Sequence, residues 1–282
     1  MILVDNNQII ISNIFQMNKQ NIEGDKESIL RHLVLNTYRM YRKKFSSQFG
    51  ELVICHDSSN CWRKDIFPEY KANRKKVQKN SELDWDEVHH LMDVVRKDIE
   101  ENLPYKNIKV ERAEADDIIF SLCRRYHQEE EILIISNDKD FQQLQVYPSV
   151  KQFSPTKKKY LVCDKPKLFL LDHILRGDSS DGIPNILSDD DSFVNDDKRQ
   201  KRLTSKRIET IYDLYENNKH LEEYSRNWNR NEILIDLSKV PDNIQEESVS
   251  VFETCTPPDR SNLLNYFIER KLKNLMGSIE DF

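Results

Sequence analysis

Glycine is nearly missing from this chain, 5 residues of 282, against about 7% in average usage. No Gly-x-Gly-x-x-Gly and no phosphate loop ending in Gly-Lys-Ser/Thr occurs, so the common nucleotide-cradling loops are excluded. Collagen-like, propeller and low-complexity classes go with them. The five cysteines, Cys55, Cys61, Cys123, Cys163 and Cys255, are odd in number and none has CxxC spacing. A disulfide framework or zinc knuckle is not expected, and a reducing cytoplasm is. Long apolar runs are absent too. Ile132–Ile135 is typical, far below the ~20 residues that span a bilayer. The opening MILVDNNQ has no basic flank of the kind a signal peptide carries. These absences predict a soluble protein without a membrane partner.

What is present is charge and a sufficient core. One third of the residues are charged and 38% are hydrophobic, with 43 basic against 49 acidic side chains. That is too apolar for a disordered chain. Three short apolar runs end in acid: Ile2-Leu3-Val4 before Asp5, Leu52 to Cys55 before Asp57, and Ile132 to Ile135 before Asp138. Between them run helical stripes: Ile29 to Tyr41, Val88 to Ile99, and Ile118 to Cys123. Strands alternating with amphipathic helices predict a three-layer α/β fold around a mixed, mostly parallel sheet. After about residue 182 strands become scarce and helical periods dominate, at 208–215 and 263–275. We therefore expect an α/β domain over 1–182 and a helical domain over 183–282. The stretch 188–197 carries five aspartates and reads as a mobile acidic loop.

In an open α/β sheet, ligands bind beyond the carboxyl ends of the strands. Asp5, Asp57 and Asp138 all fall there. Glu114, Asp116 and Asp117 open a helix, Asp138 and Asp140 form Asp-x-Asp, and Asp178 and Asp181 form GlyAspSerSerAspGly. Each has an ordinary explanation: an N-cap, a helix-dipole partner, a turn former. Together they place much negative charge on one edge, which is unfavourable without cations. Carboxylates without His or Cys suit Mg²⁺ or Mn²⁺ rather than zinc. Setting those nine carboxylates aside leaves 43 basic against 40 acidic residues, so the acidity of the chain is largely one site.

Residues 62–79 hold seven basic and two acidic side chains, with Trp62, Phe67 and Tyr70 interleaved among Arg63, Lys64, Lys71, Arg74, Lys75 and Lys76. Cations with aromatics suggest phosphate clamps and stacking platforms for nucleic acid; for Lys75, Lys76 and Lys79 a solvated loop is the plainer reading. Lys157, Lys158 and Lys159 sit at the expected tip of a hairpin. The run 198–207 adds Lys201, Arg202, Lys206 and Arg207. Basic patches flanking a carboxylate centre fit a polyanion that is cut, not merely bound.

Six motifs in order carry a resemblance: Val4-Asp5, IleCysHisAsp ending at Asp57, PheProGluTyrLysAlaAsnArgLys at 67–75, GluAlaAspAsp at 114–117, SerAsnAspLysAspPhe at 136–141, and GlyAspSerSerAspGlyIlePro at 177–184. The sequence resembles the 5′-nuclease (flap endonuclease) superfamily, and within it the ribonucleases H of T-even phages. The latter likeness extends to ValProAspAsnIle at 240–244.

The resemblance implies a PIN-like core, a basic arch or bridge over 58–83, and a helical DNA-binding domain. It implies a two-metal 5′→3′ exonuclease with ribonuclease H and flap-cleaving activity. Such enzymes remove RNA primers and adjacent DNA from lagging-strand fragments. The substrates would be RNA–DNA hybrid, flap and nicked duplex DNA. By motif, Asp5, Asp57, Glu114, Asp116 and Asp138 would hold one Mg²⁺. Asp140, Asp178 and Asp181 would hold the other, with Asp117 bridging the two or supporting them from behind, and Mn²⁺ would substitute. Tyr70, Lys71 and Arg74 would act from the arch. A monomer in the cytoplasm of an infected cell is expected, with the C-terminal helices open to a phage single-stranded-DNA-binding protein.

One departure stands out. The glycine-rich helix–turn–helix of bacterial relatives is replaced by AsnIleLeuSerAspAspAsp, and no glycine occurs from 183 to 276. The basic run 198–207 would then make that phosphate contact. Three rivals remain in view. A PIN-type ribonuclease acting on structured RNA shares the acidic core but not the basic arch. A phosphatase of the haloacid dehalogenase type needs Asp-x-Asp after the first strand, where this chain has Asp5-Asn6-Asn7. An inactive DNA-binding scaffold would be expected to have lost carboxylates, and none is missing.

Overall fold

The computed structural model describes residues 1–20, 24–216 and 223–282. Six strands form one sheet: β1 (Ile2–Asp5), β2 (Leu52–His56), β3 (Lys106–Lys109), β4 (Ile132–Ile135), β5 (Val150–Ser154) and β6 (Lys159–Leu161). The helices in chain order are α1 (Asn6–Lys19), α2 (Lys26–Phe49), α3 (Arg63–Ile66), α4 (Asn73–Lys79), α5 (Trp85–Asn102), α6 (Ala115–Tyr126), α7 (Pro166–Arg176), α8 (Ser205–Glu216), α9 (Ser225–Ile235), α10 (Asp242–Thr254), α11 (Leu263–Glu269) and α12 (Lys273–Met276). Among the described residues, no helix is long and apolar enough to cross a membrane.

The chain divides into two units. One comprises Met1–Ser59, Leu83–Val162 and Asp242–Phe282, the other Asn60–Glu82 and Cys163–Pro241. The expected boundary near 182 therefore falls inside the second unit, and the last helices belong with the sheet. The physical reason is a shared core. Leu263, Tyr266, Phe267, Leu272, Leu275 and Phe282 are buried in one apolar cluster with Tyr38, Val34 and Val95.

In the first unit the strand order is β3-β2-β1-β4-β5-β6. All pairings are parallel except β5 with β6. The mixed, mostly parallel sheet expected from the sequence is present. Alternation along the strands explains the layers. Ile2, Val4, Leu52, Ile54, Leu133 and Ile135 face the cluster shared with α1, α2 and α5. Their neighbours Leu3, Val53, Cys55, Ile132 and Ile134 are equally buried, so both faces are covered, with α6 against β1 to β3 on the other side. The order reverses between β1 and β4, and such a switch point opens a crevice at the strands' carboxyl ends.

Two elements departed from the sequence pattern. Strand β3 went unforeseen because Lys106-Asn107-Ile108-Lys109 contains one apolar residue; it is an edge strand, where lysines discourage further pairing. The helical period over 263–275 breaks in two, because Lys271 adopts φ +56° between α11 and α12.

In the second unit, α3 and α4 are separated at Pro68, and Phe67 before it is extended at φ −140° and ψ 95°. Trp62, Arg63, Phe67 and Tyr70 are buried, so this basic segment holds more anchors than its charge implied. The acidic stretch 188–197 forms turns fastened by ion pairs. Asp190 binds Arg226 and Arg230, Asp191 accepts from Lys198 at 2.8 Å, and Asp196 binds Lys76.

Candidate active site

The crevice at the switch point collects carboxylates by simple strand geometry. Asp5 ends β1, Asp57 follows β2, and Asp138 lies just beyond β4, the two strands that flank β1. Each acid also does the ordinary structural work its position invites. Asp5 caps α1, accepting from the Gln8 amide at 3.2 Å, while Ser136 Oγ donates to its other oxygen at 3.4 Å. Asp138 accepts from the Asp140 amide at 2.9 Å. Asp57 accepts from the Ala115 amide at 2.7 Å and from the Asn7 side chain. That Ala115 contact ties the start of α6 to the end of β2. Glu114 and Asp117 close a capping box on α6, the Glu114 amide donating to Asp117 at 2.9 Å. A carboxylate accepts through several lone pairs, so capping and metal ligation are compatible.

The electrostatics show what this cluster costs. Burial, then the charges of Asp57 and Asp138, push the Asp5 carboxyl from 3.8 up to about 7. Burial, then the charges of Asp5, Cys123, Asp116 and Asp57, push the Cys55 thiol well up, so Cys55 is an inert packing group. The first unit thus brings together Asp5, Asp57 and Asp138, with Glu114, Asp116 and Asp117 at the head of α6 and Asp140 hydrogen-bonded to Asp138. An oxygen-only donor set with one carboxyl held near neutrality fits a hard divalent cation. Sequence reasoning missed Asn7, Ser136 and the Ala115 amide as supports. Their signal was adjacency: each lies within two residues of an acid.

The second unit brings the arch candidates onto Asp181. Arg74 Nη2 donates to its Oδ1 at 2.7 Å, Tyr70 hydroxyl donates to Oδ2 at 3.1 Å, and Lys71 Nζ lies 3.6 Å away. The Lys71 amide donates to the Asp181 carbonyl at 2.7 Å. Asp178 accepts through Oδ1 from the Ser180 amide at 2.7 Å and faces His173 Nε2 at 3.1 Å through Oδ2. Asp178 and Ile183 exchange backbone hydrogen bonds of 2.8 and 2.7 Å, closing the turn. Gly177 enters that turn at φ +66°, where an added Cβ would sit 2.3 Å from the Ile183 carbonyl oxygen. Gly177→Ala is expected to lower the melting temperature by more than about 4 °C, since the left-handed angle alone costs ~1–2 kcal/mol. A thermal melt within a degree of wild type would show that the turn relaxes freely.

The nucleic-acid candidates divide by exposure. Lys64, Lys75, Lys76, Lys157, Lys158, Lys159, Lys201, Arg202, Lys206 and Arg207 are exposed. Lys157 to Lys159 stand at the turn between β5 and β6, as expected. Trp62 and Arg63 do not fit their expected role. Trp62 is 7% exposed and Arg63 2%. The Arg63 guanidinium lies 4.6 Å over the Trp62 ring and donates to the Leu234 carbonyl at 3.0 Å. An indole already covered cannot stack on a base, so both are structural.

Comparison with known proteins decides the family. Residues 1–169 match the 5′-3′ exonuclease N-terminal resolvase-like domain, and residues 165–282 match the T4 RNase H C-terminal domain. The chain belongs to the 5′-3′ exonuclease family. It is 32% identical to the ribonuclease H of Enterobacteria phage T4, over 99% of this chain and 95% of that one. It is 28% identical to a 5′-3′ exonuclease of Buchnera aphidicola, over 94% and 96%. A solved structure of T5 5′-exonuclease with divalent metal ions bound shares the fold at a TM-score of 0.63 and 17% identity, covering 90% of this chain and 98% of that one. The sequence-derived expectation therefore holds at the level of fold and enzyme class: a 5′→3′ exonuclease, a phosphodiester hydrolase.

Proposed function

We propose that this family member is a Mg²⁺-dependent 5′→3′ exonuclease with ribonuclease H and flap-cleaving activity, which removes RNA primers and adjacent DNA from lagging-strand fragments in phage replication. The observation that carries the reading is the trio Asp5, Asp57 and Asp138 at adjacent strand ends, where burial and then the charges of Asp57 and Asp138 raise the Asp5 carboxyl to about 7. The likeness to T4 ribonuclease H supports RNA–DNA hybrid as a substrate. A T5 flap endonuclease of the same fold, solved with DNA and metal ions, is in keeping with a DNA substrate.

A bound divalent ion would supply positive charge at the phosphate and lower the pKa of water there. The chain's own groups do the rest. The Ala115 amide and Asn7 hold Asp57, and Gln8 and Ser136 hold Asp5, so these ligands are oriented before substrate arrives. On the resemblance, Lys71 and Arg74 would neutralise charge gathering on the scissile phosphate. Asp178 and Asp181 enter the proposal as ligands of a second cation on the resemblance alone. A monomeric state, a cytoplasmic location and docking of a single-stranded-DNA-binding protein rest on the same ground.

The test is a 5′-labelled RNA–DNA hybrid and a 5′-flap duplex, each with Mg²⁺ and with EDTA. Short products bearing 5′-phosphates, released only with Mg²⁺, are expected. No cleavage in either Mg²⁺ or Mn²⁺ would overturn the reading.

A further inference from the structure

Directly behind the acids lies a run of buried polar groups that the chemistry above does not use. Asn6 follows Asp5 and His56 precedes Asp57, and both are 0% exposed. Asn6 Nδ2 donates to His56 Nδ1 at 2.9 Å, and His56 Nε2 donates to Asn107 Oδ1 at 3.0 Å. Tyr38 hydroxyl donates to Asn6 Oδ1, and Asn107 Nδ2 donates to the Tyr105 carbonyl at 2.9 Å. The donors all point one way along the chain Tyr38, Asn6, His56, Asn107. A neutral imidazole with its proton on Nε2 satisfies every link. Buried polar networks complete in this way fix a single geometry.

The register shows what geometry this one fixes. The pairing of β1 with β2 runs from Ile2 with Leu52 and stops at Asp5 with Cys55. Asp57 lies two residues past that last pair. Beyond the ladder no backbone pairing sets the distance between the two strand ends. Two side-chain links bridge them instead: Asn7 to Asp57 at the surface and, beneath it, the fully buried Asn6 to His56. On its other side His56 is anchored to β3, whose pairing with β2 continues to His56 with Lys109.

We propose that His56 is a positioning residue: it sets the spacing of Asp5 and Asp57, and through that spacing the affinity of the pair for a divalent cation. The proposal rests on the reading of those carboxylates as metal ligands. It differs from a packing role, in which His56 would stabilise the fold without affecting cation binding.

His56→Leu, close in volume and without ring nitrogens, separates the two. Mn²⁺ binding is measured calorimetrically, and cleavage of the 5′-labelled hybrid is followed across a Mn²⁺ titration. We expect Mn²⁺ affinity to fall about 10- to 100-fold, the range for lost supports behind metal ligands. Cleavage should be impaired at low Mn²⁺ and recover at high Mn²⁺, with substrate KM unchanged. His56→Gln, whose amide keeps one donor and one acceptor, should recover most of the affinity. The double variant with Asn6→Ala should cost less than the sum of the two single variants, because both break the same Asn6–His56 link. A folded His56→Leu protein that binds Mn²⁺ as wild type does overturns the proposal, even if its melting temperature drops. Should His56→Leu not fold, Asn107→Ala at the edge strand is measured the same way, and unchanged Mn²⁺ affinity there overturns it. Wild-type protein that binds no Mn²⁺ overturns the carboxylate reading itself.

Discussion

Asp5→Asn is expected to abolish cleavage and, in the absence of metal, to make the protein more stable above neutral pH. The loss of activity follows from removing a ligand at the centre of the strand-end trio. A metal supplies several kcal/mol of transition-state stabilisation, so a rate loss on the order of 10³-fold or more is expected. Binding of DNA should survive or tighten, since a repulsive charge is gone. The gain in stability follows from proton linkage. The folded protein holds the Asp5 carboxyl at about 7 against 3.8 in the unfolded chain. The folded state therefore binds more protons between those values. Its stability is fullest below the lower value and declines as pH rises through the upper one. Asparagine keeps the acceptor for the Gln8 amide and has no proton to lose. At pH 8 in EDTA the variant should be more stable by up to roughly 4 kcal/mol. Mg²⁺ should erase most of that difference by stabilising the wild type. Melts at pH 5 and pH 8, with and without Mg²⁺, check the sign. A variant that cuts at the wild-type rate, or that melts lower than wild type at pH 8 in EDTA, would remove Asp5 from the metal site.

Lys71→Ala and Arg74→Ala should each slow single-turnover cleavage about 10²- to 10³-fold, the range for a lost charge-stabilising donor. Lys75→Ala, one position along α4, should leave turnover near wild type. The structure supplies the reason for so sharp a contrast. Arg74, though exposed, and Lys71 both pair with Asp181, and it is this pairing rather than exposure that sets them apart from Lys75. Lys71 is held further by its own backbone at φ +59°, an angle kept only where surroundings enforce it. An exposed lysine near phosphate adds nonspecific attraction instead, so Lys75→Ala should lower the salt dependence of DNA binding by about one phosphate contact. Tyr70→Phe, which removes only the hydroxyl bond to Asp181, should act in the same direction as Arg74→Ala but more weakly. Rates at saturating enzyme and binding isotherms at several salt concentrations decide the matter. Equal, small effects for all four variants would reduce the segment to a charged loop.

The chain's fold class and the gathering of acids at its strand ends were legible in the sequence because both depend on short-range pattern. A run such as Ile132 to Ile135 is apolar on every residue, so it must be buried on both faces. The residues just past its carboxyl end then fall in the sheet's crevice wherever the helices go. The tertiary structure decided what depends on contacts between distant segments. Trp62 and Arg63 looked like a nucleic-acid surface, because their sequence neighbours are lysines. They are buried because Arg63 reaches the Leu234 carbonyl, 171 residues away. Residues 242–282 looked like part of a separate helical domain, because helical periodicity tells that one face is buried and not against what. That face closes on Tyr38 and Val34 of the α/β unit. Asp181 read as one more carboxylate in a metal cluster. It is instead hydrogen-bonded to Arg74, 107 residues earlier, and to Tyr70. Periodicity and composition record how much of each residue is buried; the partner that buries it, or neutralises it, is chosen only when the whole chain packs.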